Sequence, residues 1–103
     1  YCVSKACVWM LARCAALELA PYGITVNVVA PGIVEGGLTA REMEEFPEFR
    51  VEFMNLIPLG KIQRVEDVAE TVGFLASTAA DYLTGSTILT DGGCMVGAAS
   101  APK

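Results

Sequence analysis

Apolar residues recur at three- and four-residue spacing along the first twenty residues, which indicates one face of an α-helix. Alanines fill much of the remaining helix surface, and Pro21 and Gly23 then interrupt the pattern. Because glycine suits a left-handed position after a helix, the interruption is expected to be a helix end. The pattern predicts a helix over residues 1–20, whose apolar face comprises Val3, Cys7, Met10, Cys14 and Leu17.

Two later runs are rich in β-branched residues and predict strands. Residues 24–29 are apolar on both faces, which is typical of a parallel strand buried between helices, and Pro31 and Gly32 end the run. Residues 86–90 form a shorter run that is closed by a turn beginning at Asp91. That turn is interpreted as structural rather than as a contact to substrate.

The chain between these strands predicts further helices. Residues 35–60 mix acidic side chains with Phe46, Phe49 and Phe53 at helical spacing, which predicts one or two short amphipathic helices on a mobile excursion. Residues 65–77 predict another helix, with acidic residues near its start that suit the positive end of the helix dipole.

The order helix, strand, excursion, helix, strand is half of an alternating α/β design. Two buried parallel strands leave their outer edges unpaired, so we expect the rest of the sheet to come from elsewhere. The chain also begins with Tyr1 rather than Met, and its apolar content is high for a small domain. We therefore expect it to be a piece of a longer protein.

Composition narrows the classes of partner. Twelve acidic against seven basic residues leave no basic patch for a nucleic acid or an anionic membrane, and no apolar run is long enough to span a bilayer. Without histidine or a CxxC pair, no metal site is expected. The four cysteines are interpreted as small buried apolar residues in a reducing compartment, which indicates the cytoplasm.

Tyr1 and Lys5 are the candidate chemical groups. Four residues apart on a helix, they project from one face. An ammonium about 5 Å from a phenol favours the phenolate by roughly 3 kcal/mol, about two pKa units, and so helps it exchange protons with an alcohol or ketone. Taken alone, such a pair also arises by chance on an exposed helix.

The pair is followed by a series of further motifs, and in this order they resemble the non-extended short-chain dehydrogenase/reductase family. Each motif is short, but the order and spacing match over nearly the whole chain. The matching segments are Tyr-Cys-Val-Ser-Lys-Ala at 1–6, Asn-Val-Val-Ala-Pro-Gly-Ile-Val at 27–34, Pro-Leu-Gly-Lys at 58–61, Phe-Leu-Ala-Ser at 74–77, Leu-Thr-Gly at 83–85 and Thr-Asp-Gly-Gly at 90–93.

The resemblance implies a Rossmann-type doubly wound parallel sheet, with residues 1–103 as the C-terminal part of one domain whose nucleotide-binding half is absent. It implies an oxidoreductase that uses NAD or NADP to interconvert a secondary alcohol and a ketone, and that assembles as a dimer or tetramer. Tyr1 would be the general acid/base, and Lys5 would lower the tyrosine pKa and hold the nicotinamide ribose. Pro31 and Gly32 would pass under the nicotinamide, and the Val34 backbone would hold its carboxamide.

One position departs from the family pattern. Gly36 stands where the family usually has a threonine that contacts the cofactor, so this contact is either lost or replaced by backbone amides. Gly36 and Gly37 could also be a hinge for residues 36–60, which lie at the position of the family's substrate loop.

A second hypothesis comes from a different class of function. The chain would be a non-catalytic fragment that provides an oligomer interface or a binding surface. The sequence upstream of this chain distinguishes the two hypotheses. A glycine-rich phosphate loop there, together with the catalytic Ser and Asn, would favour the hypothesis of an enzyme.

Overall fold

The computed structural model describes residues 1–97, and residues 98–103 lie outside the described residues. The helices are α1 Cys2–Leu19, α2 Gly37–Glu45, α3 Pro47–Leu56 and α4 Val65–Leu75, with short 3-10 helices at Ala20–Tyr22 and Thr78–Ala80. The strands are β1 Val28–Pro31, β2 Val34–Glu35, β3 Gln63–Arg64 and β4 Thr87–Thr90. None of the helices within residues 1–97 has both the length and the apolar character that a membrane crossing needs.

These elements form two compact units. The first comprises residues 1–29 and 71–88, and the second comprises residues 30–70 and those from 89 onward. Strand β1 pairs with β4, and β2 pairs with β3. The alternation of helices with parallel strand pairs confirms the predicted α/β class.

The predicted first helix is confirmed, and it ends one residue early. The chain then forms a 3-10 turn that Gly23 closes in the left-handed region, with φ +72°. The side of α1 that faces its own unit is the alanine side, where Ala16 is buried and a Cβ on Gly85 would lie 3.6 Å from the Ala16 methyl. The turn at Gly85 thus packs against α1 at ordinary contact distance, and its φ of +69° is the reason for glycine there.

The predicted apolar face of α1 is not buried. Val3, Met10 and Leu17 are all exposed, because the close packing at Ala16 turns the opposite side of the helix inward. The burial predicted for the cysteines is wrong for three of them. Cys2, Cys7 and Cys14 on α1 are exposed, and Cys94 is half-buried.

Strand β1 begins four residues later than predicted. Its first three residues are half-buried and Pro31 is exposed, so the strand is not enclosed. The chain before it is held by side chains instead of a strand ladder. The Val26 N–H donates to Thr84 Oγ1 at 3.1 Å, and the Asn27 amide donates to the Leu83 carbonyl at 2.9 Å. Regular pairing begins where the Val28 N–H donates to the Ser86 carbonyl at 2.9 Å.

The prediction of two short helices over the excursion is confirmed by α2 and α3. The rings of Phe46, Phe49 and Phe53 lie in sequence along them, with centroids 5.3 Å and 6.0 Å apart. Met43 and Ile57 are the buried apolar residues of this segment. The phenylalanines thus pack mainly against one another.

A short parallel strand pair closes the excursion and was not predicted. Val34 pairs with Gln63 and Glu35 with Arg64. The two ends of the excursion therefore lie side by side. Strands of two residues are too short to produce an alternating sequence pattern.

The predicted helix over residues 65–77 is confirmed as α4. Its N-terminus is held by an ion pair and a backbone hydrogen bond. Asp67, in the first turn of α4, accepts the backbone N–H of Arg64 at 2.9 Å and binds its guanidinium at 2.8 Å. The first N–H groups of a helix have no acceptor within the helix. An acidic side chain three residues after the N-cap can accept the N-cap N–H and so satisfy one of these donors. The guanidinium contact and this backbone bond lower the pKa of Asp67 to about 2.

We expect Asp67→Asn to destabilise the protein at neutral pH but not at pH values near 2. The folded-state pKa lies below the ordinary value of 3.8, so the stabilisation is fully present above that value and is lost as the pH falls through about 2. Thermal unfolding across this range should show a difference in Tm that disappears in acid. Glu66→Gln is the control, because it removes a charge from the same turn. Its Tm should differ much less from that of the wild type, and the difference should depend much less on pH. A Tm difference that is independent of pH would contradict the role of the carboxylate.

Candidate active site

The first turn of α1 places the predicted catalytic pair on one face. The Lys5 N–H and the Ser4 hydroxyl both donate to the Tyr1 carbonyl, at 3.0 Å and 2.7 Å. Lys5 Nζ lies 5.6 Å from the centroid of the Tyr1 ring. Tyr1 is 92% exposed, so its hydroxyl is open to a reactant. The structure therefore brings Tyr1 and Lys5 together as the spacing predicts.

Pro31 is the last residue of β1 and Gly32 follows it, in the second unit. The Gly32 N–H donates at 3.0 Å to the carbonyl of Thr90, the last residue of β4, which brings the backbone after β1 against the end of β4. A Cβ on Gly32 would lie 2.8 Å from both the Cα and the Cβ of Asp91. This approach leaves no room for a side chain, so glycine is required here for space.

Asp91 holds the turn that follows β4. Its Oδ1 accepts the Gly93 N–H at 2.9 Å and its Oδ2 accepts the Met95 N–H at 2.8 Å. These two backbone bonds lower the pKa of Asp91, and the residue is buried. Both carboxylate oxygens are thus used within the turn, in agreement with its interpretation as structural.

Val34 and Gly36 flank the start of the excursion. The Gly36 N–H donates to the Val34 carbonyl at 2.9 Å. A Cβ on Gly36 would lie 2.8 Å from Cγ2 of Val65, the first residue of α4. Gly37 follows in the left-handed region, with φ +54°. The glycine at position 36 therefore has a packing reason, which the sequence does not reveal.

A bidentate ion pair connects α3 to the strand β2. The Arg50 guanidinium donates to the two oxygens of Glu35 at 2.6 Å and 3.0 Å. These hydrogen bonds hold the pKa of Glu35 below its ordinary value. The two residues are separated by a whole helix, so no sequence spacing indicates the pair. Arg50 is therefore committed to Glu35.

A groove lies beside Pro31 and Gly32, within the second unit. Its volume is about 460 Å³, within the usual range for small-molecule sites. We call it the apolar groove, and besides these two residues the side chains that form most of it are Ile33, Leu56, Leu89 and Met95. Leu56, Leu89 and Met95 were not predicted as site residues.

A larger cavity in the same unit, of about 790 Å³, lies around the loop after α3. Ile57, Leu59 and Lys61 line it, and neither Pro31 nor Gly32 does. Val34 lines neither cavity. Of the predicted cofactor residues in the second unit, Pro31 and Gly32 therefore share one groove, and Val34 lies apart from it on β2.

Comparison with known proteins shows similarity over almost the whole chain. Residues 1–95 match the family model described as enoyl-(acyl carrier protein) reductase. The chain is 44% identical over 93 residues to 3beta-hydroxysteroid dehydrogenase 1 of Eggerthella lenta, covering 90% of this chain and 35% of that protein. It is 43% identical over 96 residues to the 3-oxoacyl-(acyl-carrier-protein) reductase FabG of Rickettsia felis, covering 93% of this chain and 39% of that protein.

Solved structures agree with the sequence matches. A short chain dehydrogenase family protein from Francisella tularensis superposes with a TM-score of 0.85 at 31% identity, over 91% of this chain and 42% of that one. A 3-oxoacyl-(acyl-carrier protein) reductase from Brucella melitensis gives 0.82 at 31% identity, over 90% of this chain and 34% of that one. These likenesses confirm the Rossmann-type fold class. The chain spans between 35% and 39% of the length of the two curated relatives named above.

We expect Gly32→Ala to destabilise the protein, because its methyl group would enter the space of the Asp91 backbone. Overpacking at a site that cannot move costs about 1–3 kcal/mol. Gly73→Ala is the matched control, since a Cβ on Gly73 in α4 meets nothing within 4 Å. Alanine there should stabilise the helix by about 1 kcal/mol. Chemical denaturation of both variants measures the difference, and equal effects would contradict the steric requirement at Gly32.

Proposed function

Because the chain belongs to the short-chain dehydrogenase/reductase family, we propose that it provides the acid/base pair of an NAD(P)-dependent oxidoreductase. The reaction is the interconversion of a secondary alcohol and a ketone. The observation that carries the proposal is the contact between the Lys5 ammonium and the Tyr1 ring, at 5.6 Å, on an open helix face.

Tyr1 acts as the general acid when the ketone is reduced. The nicotinamide, when bound, supplies the hydride that adds to the carbonyl carbon. The Tyr1 hydroxyl donates its proton to the carbonyl oxygen, which would otherwise become an alkoxide. In the reverse direction the same oxygen takes the proton from the alcohol. The exposure of Tyr1 supports this role, since the hydroxyl is not committed to a hydrogen bond within its unit.

Lys5 favours the ionised form of the phenol by its positive charge. Its ammonium has three donors and no acceptor, so it can bind the ribose hydroxyls of the cofactor at the same time. The short helical link between the two residues supports this double role, because the bond from the Lys5 N–H to the Tyr1 carbonyl fixes their relative position.

Pro31 and Gly32 fit the role of a platform beneath the nicotinamide ring. A flat aromatic ring needs a surface without projecting side chains, and position 32 has no space for one. The Val34 backbone is proposed to bind the carboxamide. Its carbonyl already accepts the Gly36 N–H, and a carbonyl oxygen can accept a second hydrogen bond. Either NAD or NADP fits these residues.

Residues 36–60 are proposed to be the loop that covers the substrate. The strand pair β2–β3 closes its two ends, and the Glu35–Arg50 ion pair ties α3 to one of them. The segment is thus attached at its base, and we propose that the helices above the base shift when the substrate binds.

The same proposal includes assembly and compartment. The exposed apolar face of α1, with Val3, Met10 and Leu17, supports contact with another part of the protein or with a second subunit in a dimer or tetramer. The non-catalytic hypothesis rests on this same face. The four free thiols support a reducing compartment such as the cytoplasm. We further propose that residues 1–103 form the C-terminal part of one domain, which the limited coverage of the relatives supports.

Tyr1→Phe in the complete enzyme should lower kcat while leaving the fold intact. Loss of a general acid/base reduces the rate by a factor on the order of 10² to 10⁴. Steady-state turnover with NADH and NADPH measures the change, and circular dichroism checks the fold. Tyr22→Phe removes another exposed tyrosine hydroxyl and should keep full activity. Near-normal turnover of the Tyr1 variant would refute the assignment and favour the non-catalytic hypothesis.

Lys5→Met should change two properties at once. It keeps the aliphatic stem and removes the charge, so helix packing should change little. The pH profile of alcohol oxidation should move to higher pH, because the phenolate is less favoured without the ammonium. The Kd of the cofactor should rise by about tenfold or more, as expected when a hydrogen bond from a charged donor is lost.

Lys61→Met is the control for Lys5→Met, because it removes the same charge from another part of the chain. It should leave the pH profile unchanged. If Lys5→Met changed neither the pH profile nor the cofactor affinity, Tyr1 and Lys5 would be ordinary helix neighbours.

A further inference from the structure

One stripe of α1 alternates aromatic and cationic side chains, starting from the proposed catalytic pair. Tyr1, Lys5, Trp9 and Arg13 stand four residues apart, so each is the neighbour of the next on one face of the helix. Lys5 Nζ lies 5.6 Å from the centroid of the Tyr1 ring, and Arg13 Cζ lies 5.2 Å from the centroid of the Trp9 ring. Each cation thus lies over the aromatic ring one turn before it.

The direction of helical side chains brings Trp9 close to Lys5. In an α-helix, long side chains lean toward the N-terminus, over the preceding turn. Both cation–ring contacts follow this rule, since Lys5 leans toward Tyr1 and Arg13 leans toward Trp9. We therefore expect the Trp9 ring to lean over the turn that carries Lys5. Its bulk then removes directions that the long lysine chain would otherwise sample.

A hydrogen bond attaches the Trp9 ring to a strand. The Trp9 Nε1–H donates to Thr87 Oγ1 at 3.0 Å, which joins α1 to the start of β4 within the first unit. The first ten residues of the chain are all exposed. Within residues 1–97, this is the one side-chain hydrogen bond that joins those ten residues to another segment. The indole is thus the anchor of the N-terminal half of α1.

We propose that Trp9 is a positioning residue for the Tyr1–Lys5 pair. Anchored at Thr87, the indole ring holds the lysine chain in the direction of Tyr1, so that the ammonium stays next to the phenol. The inference rests on the proposed function, because it concerns the pair that transfers the proton. Trp9 and Thr87 act through Lys5, and neither has to contact the substrate or the cofactor.

An uncharged substitution in this anchor leaves every charge near the catalytic pair in place. The other titratable groups of α1 are Arg13, Glu18 and three cysteines, and Tyr22 follows in the 3-10 helix. The segment that α1 contacts, residues 83–90, has no titratable side chain. A shifted pH profile after such a substitution therefore reports the position of the Lys5 ammonium rather than a changed charge.

Trp9→Phe and Thr87→Val each remove one partner of the hydrogen bond and keep much of the side-chain shape. In the complete enzyme, the pH profile of alcohol oxidation should move to higher pH by up to about 0.7 pH unit. The cofactor Kd should rise by up to about fivefold. These are the changes expected when the free energy of one neutral hydrogen bond is expressed through Lys5. Both have the direction expected for Lys5→Met and are smaller.

A double-mutant cycle separates positioning from a general effect on stability. Trp9→Phe combined with Lys5→Met should change neither property beyond its Lys5→Met value, because the ring then has no ammonium to hold. Thr84→Val is the matched control, since the Thr84 hydroxyl accepts the Val26 N–H at 3.1 Å in the same unit but outside α1. It should lower the Tm and leave the pH profile and the cofactor Kd unchanged.

Unchanged pH profiles and Kd values in both Trp9→Phe and Thr87→Val, with Tm values that show folded proteins, would overturn the inference. Effects that add in full to those of Lys5→Met would also overturn it, since Trp9 would then not act through the lysine. If Lys5→Met itself changed neither property, the proposed function would fail, and the role of Trp9 with it.

Discussion

The backbones after β1 and β4 approach each other so closely at Gly32 and Asp91 that no side chain fits between them. Three features of the second unit depend on this contact. It places Pro31 and Gly32 at an open surface, it buries Asp91 so that its carboxylate orders the next turn, and that turn brings Met95 to the groove. The proposed nicotinamide platform and one wall of the apolar groove are therefore consequences of one steric constraint.

Helices in which apolar residues recur at a regular spacing were predictable from the sequence. The position of a strand that is held by residues distant in sequence was not. The helices α1 and α4 and the pair α2–α3 follow directly from spacing and end signals. Strand β1 was placed too early, because Asn27 binds backbone groups through its side chain instead of joining the ladder. The cysteines of α1 were expected to be buried and are exposed, because the residue of α1 that packs inward is Ala16.

The candidate site divides in the same way. Tyr1 and Lys5 are close in sequence, so helix geometry alone brings them together, as the structure shows. The side chains of the apolar groove come from segments that are far apart in sequence, and their convergence depends on the turn at Asp91. The Glu35–Arg50 pair likewise joins residues that no local pattern relates. The proximity of Tyr1 and Lys5 could thus be predicted from the sequence, whereas the shape of the groove could not.

The two-residue ladder between β2 and β3 has a consequence for how such a protein can diversify. It joins Glu35 and Arg64 directly, so everything between them is a closed loop whose ends are already held. The entropy of closing a loop grows slowly, and doubling its length costs only about 0.6 kcal/mol. Changes in the exposed parts of α2 and α3 would leave the register of these strands intact, because the ladder and the buried residues Met43 and Ile57 are untouched. The segment can thus vary in length and sequence, through evolution or engineering, while its two ends stay in place.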